Sequence, residues 1–238
     1  MKNLSRIKVK VEVIIAGGGK GERFGGNQPK QFCNIVGKPI LEWSVYKFNS
    51  SPFINGIILV VPGGMLDSSR EKLHLSRYEK VKAITQGGKE RMDSVYEGLK
   101  LVDKDTQIVL VHDGVRPLVS LSLIQKVIEK TEIYGAVVPG IPVKETIKRT
   151  NSENFVTETI PRDNVYLIQT PQGFKLDLIT GAYREAERRG WRASDDAGLV
   201  EKLGKSIWII PGEEKNIKIT TSFDLKLAEL LLNMEIKI

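Results

Sequence analysis

Residues 12–32 read EVIIAGGGKGERFGGNQPKQF. Residues 12–16 are a short run rich in β-branched side chains, the pattern of a strand buried in a sheet. Six glycines follow within ten residues: Gly17, Gly18, Gly19, Gly21, Gly25 and Gly26. Backbone without Cβ atoms can turn sharply and bring its N–H groups close to phosphate oxygens. Lys20, Arg23 and Lys30 add positive charge to the same loop. A plain strand-to-helix turn with exposed cations is the alternative reading. Two familiar phosphate loops are excluded. A dinucleotide fingerprint starting at Gly19 would need glycine where Phe24 stands, and a P-loop ending in Gly204-Lys205-Ser206 would need glycine at Leu199.

Outward from this stretch the pattern repeats. Apolar runs at 56–61, 81–85, 107–111 and 135–138 end at Pro62, Gly87-Gly88, His112-Asp113-Gly114 and Pro139-Gly140. Stretches of helical spacing lie between them: Val95, Leu99 and Val102 in one, and Leu121, Ile124, Val127, Ile128 and Thr131 in another. Alternating strands and helices predict an α/β fold with a mostly parallel sheet covered on both faces. Ligands of such sheets gather at the carboxyl ends of the strands, where this chain carries its glycines, His112, Asp113 and Arg116.

The alternation breaks at residues 143–165. Their polar/apolar alternation around Thr150-Asn151-Ser152 predicts a protruding β-hairpin within a single domain spanning 1–238. An exposed hairpin needs a surface to dock on. A second copy of the chain is the simplest supplier, so a homodimer with exchanged arms is expected. Beyond the arm the sequence predicts a helix over 175–189 and another capped by Ser194, with Asp195-Asp196 in its first turn. A strand at 206–210 and a last helix over 222–234 follow.

The chain has 238 residues, a formal charge of +7, one cysteine and two histidines. A lone cysteine excludes a disulfide scaffold and fits a reducing compartment. So few cysteines and histidines leave too few ligands for a zinc or iron–sulfur site. No apolar stretch approaches the roughly 20 residues that span a bilayer, and the start, MKNLSRIKVKVEV, lacks a signal-peptide core. A cytoplasmic protein with no membrane partner is expected. The positive charge is either a solvated surface or a match for anions. Basic residues do not interleave with aromatics as in RNA-binding sheets, so small phosphorylated ligands are favoured over nucleic acid.

Several residues have two readings. Asp113 and Arg116, just past a strand, suit a sugar hydroxyl or metal-linked water and a phosphate, or form an internal pair shaping the turn. His112 reads as structural. In GGKERMDSV (87–95), Asp93 and Ser94 open a helix, where they either meet a ligand or cap the helix. Lys218, in a short predicted strand, is by spacing alone an edge residue. Asp103-x-Asp105 lies at the start of a strand and reads as a turn rather than a metal site.

Seven segments in order, AGGGKGERF…PKQF (16–32), GGKERMDSV (87–95), VHDGVRP (111–117), PVKETIKR (142–149), QTPQGF (169–174), SDDAGLVEKLG (194–204) and NIKITTSFDL (216–225), resemble the 2-C-methyl-D-erythritol 4-phosphate cytidylyltransferase family of the non-mevalonate isoprenoid pathway. The resemblance runs from about residue 13 to 232. It implies a Rossmann-like nucleotidyltransferase fold and transfer of CMP from CTP to a sugar-alcohol phosphate, with Mg²⁺ held mainly by substrate phosphates. It implies that Arg23 and Lys30 stabilise the transition state, and that Arg162 and Lys218 position the acceptor phosphate. Asp113, Arg116, Thr146, Thr170 and Ser194 would line the acceptor site. Ala16, Gly17, Gly18, Gly88, Ser94, Asp113 and Gly114 would hold the cytidine nucleotide. Thr146 and Arg162, on the arm, would serve the neighbour's site. Lys89 stands where the family usually has aspartate, Ser194 where threonine is common, and the glycine loop is one residue longer near Gly19-Lys20. Ribitol 5-phosphate cytidylyltransferases share the glycine loop, PKQF and the KITT-DL ending. A noncatalytic nucleotide- or RNA-binding module is the reading from another class.

Overall fold

A computed structural model describes residues 9–19 and 29–236. Arg23 and the lengthened part of the glycine loop lie outside the described residues. In chain order the strands are β1 (Val11–Ala16), β2 (Asn34–Ile35), β3 (Lys38–Pro39), β4 (Gly56–Val61), β5 (Val81–Gln86), β6 (Ile108–Asp113) and β7 (Ala136–Pro142). They continue with β8 (Ile147–Thr150), β9 (Val156–Ile160), β10 (Tyr166–Ile168), β11 (Gln172–Lys175) and β12 (Trp208–Pro211). The helices are α1 (Ile40–Asn49), α2 (Leu66–Lys72), α3 (Arg91–Leu99), α4 (Leu121–Tyr134), α5 (Leu176–Arg189), α6 (Asp196–Lys202) and α7 (Ser222–Ile236).

The main sheet runs β10-β7-β11-β6-β1-β4-β5, with β12 on the far side of β7. The ladders β1·β4, β1·β6, β4·β5 and β12·β7 are parallel, as the α/β reading expects. β11 is antiparallel to both β6 and β7, an insertion that the segment QTPQGF does not announce. Alternate residues of the central strands point to opposite faces. Val13, Ile15, Ile57, Leu59 and Leu110 pack with α1 and α4 residues, while Ile14, Ile58, Val60, Val109 and Val111 pack with residues of α3, α5 and α6. Glu12, within the apolar run, is also buried, and its carboxylate accepts from Lys82 Nζ at 2.6 Å and Asp103 N at 3.0 Å. Asp103 and Asp105 bind Lys10 at 2.8 and 2.7 Å, so this pair anchors the amino end of the sheet. Among the described residues no helix is long and apolar enough to cross a membrane.

Three local expectations are corrected. On α4 the buried set is Leu123, Ile124, Val127, Ile128 and Thr131; Leu121 is exposed because it opens the first turn, next to the cap Ser120. The cap of α6 is Asp195, whose carboxylate accepts from Gly198 N at 3.0 Å, with Ser194 one residue outside. On α3 the capping reading of Asp93 holds: Glu90 is the cap position and Asp93 accepts its N–H at 3.0 Å in a capping box. Lys218 lies in an extended stretch outside any strand, fixed by the Ile219 N–H on Val115 O at 2.9 Å. Residues 143–165 hold the antiparallel pair β8–β9, turned at Asn151, whose Oδ1 accepts from Glu153 N and Phe155 N. Both strands are largely exposed.

Glycine at 173 lets α4 close on β11. A Cβ there would collide with Thr131 Oγ1 and sit 2.7 Å from Val127 Cγ1, both on stiff β-branched side chains. Gly173→Ala is therefore expected to cost about 1–3 kcal/mol, the range for overpacking, read as a lower urea midpoint with unchanged slope.

Candidate active site

The carboxyl ends of four adjacent parallel strands form a floor of glycines. Gly17 N donates to Val60 O at 2.8 Å, Gly87 N to Val61 O at 2.7 Å and Gly114 N to Ala16 O at 2.9 Å. Ala16 stands in register with Val60 on one side and Asp113 on the other. A Cβ on Gly18 would lie 3.0 Å from Ser94 Oγ and 3.3 Å from Gly87 Cα. One on Gly114 would strike Leu41 and lie 3.4 Å from Gly17 Cα. A Cβ at either position would have to push these neighbours back, so glycine suits the convergence. Ser94 is held by its own hydroxyl, which donates to Glu90 O at 3.0 Å. The Gln31 amide donates to the carbonyls of Gly17 and Gly19 at 2.7 and 2.8 Å, binding the PKQF segment to the floor.

Beside the floor stands a charged pole centred on Asp113, at the end of β6. Its Oδ1 accepts from Arg91 Nε at 2.9 Å; its Oδ2 lies 2.9 Å from Lys218 Nζ and 3.5 Å from Arg116 Nε. Burial alone would raise this carboxyl, but Arg91, Lys218 and Arg116 hold it well below the usual carboxylate range. Arg91 also donates from Nη1 to Asp196 Oδ2 at 2.8 Å, and Asp196 Oδ1 accepts from Tyr183 OH at 2.6 Å. Three cations thus face two buried carboxylates, and the cluster keeps a net positive charge. Lys218 keeps a 40% exposed side chain even though its ammonium is paired with Asp113. Lys30 donates to Ile219 O at 2.9 Å, which brings a further cation beside Lys218.

Arg116 turns inward. Its Nη1 donates to Asn216 O at 2.7 Å, so in the described structure it shapes the turn, as the second reading of VHDGVRP has it. Asn216 Nδ2 donates to Thr170 O at 2.8 Å, and the Gln169 amide exchanges hydrogen bonds with Glu213 O and Glu213 N. These contacts lay residues 212–220 along the strand ends and thereby place Lys218. Thr170 Oγ1 accepts the Asp113 N–H at 3.0 Å and lies 3.1 Å from His112 Nδ1, while His112 Nε2 lies 3.1 Å from Arg116 O. The arrangement is satisfied when Thr170 donates to Nδ1 and Nε2–H donates to the carbonyl, which is the neutral imidazole. Burial pushes the His112 pKa down to about 3.

The structure therefore brings together Ala16, Gly17, Gly18, Gly88, Ser94, Gly114, Asp113, Arg116, Thr170, Lys30 and Lys218. Ser194 is exposed, two residues before Asp196. Thr146 and Arg162 are exposed on the arm, where Arg162 donates to Lys144 O. Arg91, Asp196, Gln31, Gln169 and Asn216 are site residues that sequence reasoning missed. One signal for Arg91 was legible: a cation in the first turn of a helix opposes the helix dipole and calls for a carboxylate partner. Among the described residues no group of three His, Cys, Asp or Glu side chains could hold a metal ion.

A phosphate-friendly glycine floor and a cationic pole at the strand ends of a mostly parallel sheet define a nucleotidyltransferase-like Rossmann fold. The match to solved structures agrees. The "4-diphosphocytidyl-2C-methyl-D-erythritolsynthase" of Anaerococcus prevotii superposes with a TM-score of 0.82 at 31% identity, covering 94% of this chain and 99% of that one. The 2-C-methyl-D-erythritol 4-phosphate cytidylyltransferase of Thermus thermophilus gives 0.76 at 33% identity, covering 94% and 98%. Residues 11–234 match the family described as "IspD: 2-C-methyl-D-erythritol 4-phosphate cytidylyltransferase", and the chain belongs to that family. A relative of the same name from Alkaliphilus oremlandii is 42% identical over 233 residues, covering 98% of this chain and 97% of the relative. Another, from Pelotomaculum thermopropionicum, is 40% identical over 94% of each chain.

The neutral His112 carries a pH signature. Between its ordinary value of 6.5 and about 3, the unfolded chain binds a proton that the folded chain excludes. Stability therefore falls as pH drops through this window, by up to about 1.4 kcal/mol per unit. Urea titrations at about pH 7 and about pH 5.5 should differ by about 1 kcal/mol, and His112→Gln should remove most of that difference.

Proposed function

We propose that the protein transfers CMP from CTP to 2-C-methyl-D-erythritol 4-phosphate, releasing pyrophosphate. The observation that carries this reading is the glycine floor abutting the Asp113-centred cluster of Arg91, Arg116 and Lys218, in a chain that matches the family over nearly its full length. An oxygen of the acceptor phosphate attacks the α-phosphorus of CTP. The new P–O bond forms as the bond to the β-phosphate bridge breaks, and both electrons leave with pyrophosphate. The attacking oxygen is already ionised near neutral pH, so no general base is needed. The barrier lies in bringing two polyanions together, and the protein's contribution is fixed positive charge and alignment. Lys218 meets the acceptor phosphate and Lys30, with Arg23 from the glycine loop, meets the charge that develops on the triphosphate. His112, neutral and fully hydrogen-bonded, holds Asp113 and Arg116 in place.

Mg²⁺, when bound, neutralises the triphosphate and orients its leaving group. Both Asp113 oxygens are engaged by cations, so this carboxylate is poorly suited as a direct ligand. The ion would then rest mainly on substrate phosphates and water.

The active form in this reading is a homodimer. Phe155, Val156 and Leu167 are more than half exposed, and Ile209, Tyr166 and Ile168 crowd around Gly140 near the sheet edge. Such apolar surface on the largely exposed arm and on the neighbouring sheet edge suits a second copy. The exchanged arm would carry Thr146 and Arg162 to the neighbour's site. The free Cys33 fits a reducing cytoplasm.

Pyrophosphate release with CTP should be faster with 2-C-methyl-D-erythritol 4-phosphate than with ribitol 5-phosphate; the reverse order would reassign the acceptor. Lys30→Ala and Arg23→Ala should each lower kcat by about 10²-fold, while Lys218→Ala should chiefly raise the KM for the acceptor. Mixing inactive Arg162→Ala and Lys30→Ala proteins under subunit exchange should recover activity, because one site per mixed dimer is intact. Exchange without recovery would place Arg162 in its own subunit's site.

A further inference from the structure

Arg91 is absent from the residues that the sequence patterns point to, yet it joins three pieces of the site. It opens α3, directly after the Gly87-Gly88 turn of the floor. Its Nε grips Asp113 on β6, and its Nη1 grips Asp196 at the start of α6. We propose that Arg91 is a positioning residue that sets the placement of the nucleotide floor relative to the acceptor lysine, and that Tyr183 and Asp196 hold it in register.

The geometry gives the means. The two oxygens of Asp113 have separate duties: Oδ1 takes Arg91, and Oδ2 takes Lys218 and Arg116. The grip of Arg91 on one oxygen restrains rotation of the carboxylate, and so helps to set where the other oxygen, paired with the Lys218 ammonium, stands. Arg91 is itself held from behind. Asp196 is fully buried, and its second oxygen is occupied by Tyr183 OH at 2.6 Å. The Tyr183 ring is fixed in turn by stacking on Tyr96 of α3, with centroids 5.5 Å apart and planes within 5°. The planar fork gives each carboxylate its own nitrogen in fixed geometry, Nε to Asp113 and Nη1 to Asp196; a lysine at 91 would have to share one ammonium between them and lose that orientation.

This inference rests on the cytidylyl-transfer reading, and steady-state kinetics at saturating CTP and acceptor test both. Arg91→Lys keeps the charge and should lower kcat about 30-fold or more, with each KM within about threefold, because misalignment penalises the transition state more than the binding of either substrate. Tyr183→Phe touches no substrate, and should lower kcat about threefold to tenfold, the equivalent of one hydrogen bond. Near-UV circular dichroism and active-site titration separate these losses from misfolding. Unchanged kcat in a folded Arg91→Lys protein would overturn the inference, as would a tenfold rise in the KM for CTP with kcat retained, which would make Arg91 a binding group. Should Arg91→Lys fail to fold, a Tyr183→Phe protein with wild-type kcat overturns it equally. A wild type that neither binds nor consumes CTP would instead overturn the reading beneath it.

Discussion

A carboxylate buried at a strand end must be answered by positive charge, and Asp113 imposes that constraint on this molecule. Leaving such a group unpaired costs several kcal/mol. The fold meets the demand with cations from three separate places: Arg91 at the start of α3, Arg116 in the turn after β6, and Lys218 on the stretch between β12 and α7. None of these segments would converge on the others by local preference. Their meeting point is the end of the central strand pair β1–β6, where Ala16 and Asp113 stand side by side. The glycine floor and the cationic pole are therefore two parts of one packed unit.

The same constraint explains a site without an obvious acid or base. The one histidine at the strand ends is buried and hydrogen-bonded on both nitrogens, and its pKa lies far below neutrality. A buried neutral imidazole serves as a brace: it links the Thr170 hydroxyl to the Arg116 carbonyl, and Thr170 in turn receives the Asp113 N–H. The chemistry is left to fixed charge. A reaction between two phosphorylated molecules asks for this, since their mutual repulsion is a large part of the barrier and preorganised cations need no rearrangement as charge moves.

The arm stands apart from this economy. Its strands carry polar and apolar side chains largely exposed, and its base is tied to the body through Lys144 and Glu214. Holding a hairpin in water gains little for a single chain. In the dimeric reading the arm acquires a surface, and each site acquires side chains that its own chain does not place there.

Much was legible in the linear chain because the deciding signals are local. The five apolar runs ending in glycine, proline or HDG gave the parallel core and the edge of the sheet where ligands bind, since a strand's burial and the turn after it are both written in neighbouring residues. Glycine density alone marked the floor. Tertiary packing decided the rest. Lys218 has no local mark of importance and is placed by contacts of Asn216 and Glu213 with residues 169–170, some 45 positions away, and of Ile219 with Val115. β11 lies antiparallel between β6 and β7, and α4 closes on it at Gly173, a fit between distant segments. Arg91 sits in plain view within GGKERMDSV, but its partners are 22 and 105 residues distant, and charge pairing over such separations leaves no periodic trace. Short-range steric and hydrophobic preferences determine the elements; long-range electrostatics, which depends on where the folded chain puts each charge, determines the site.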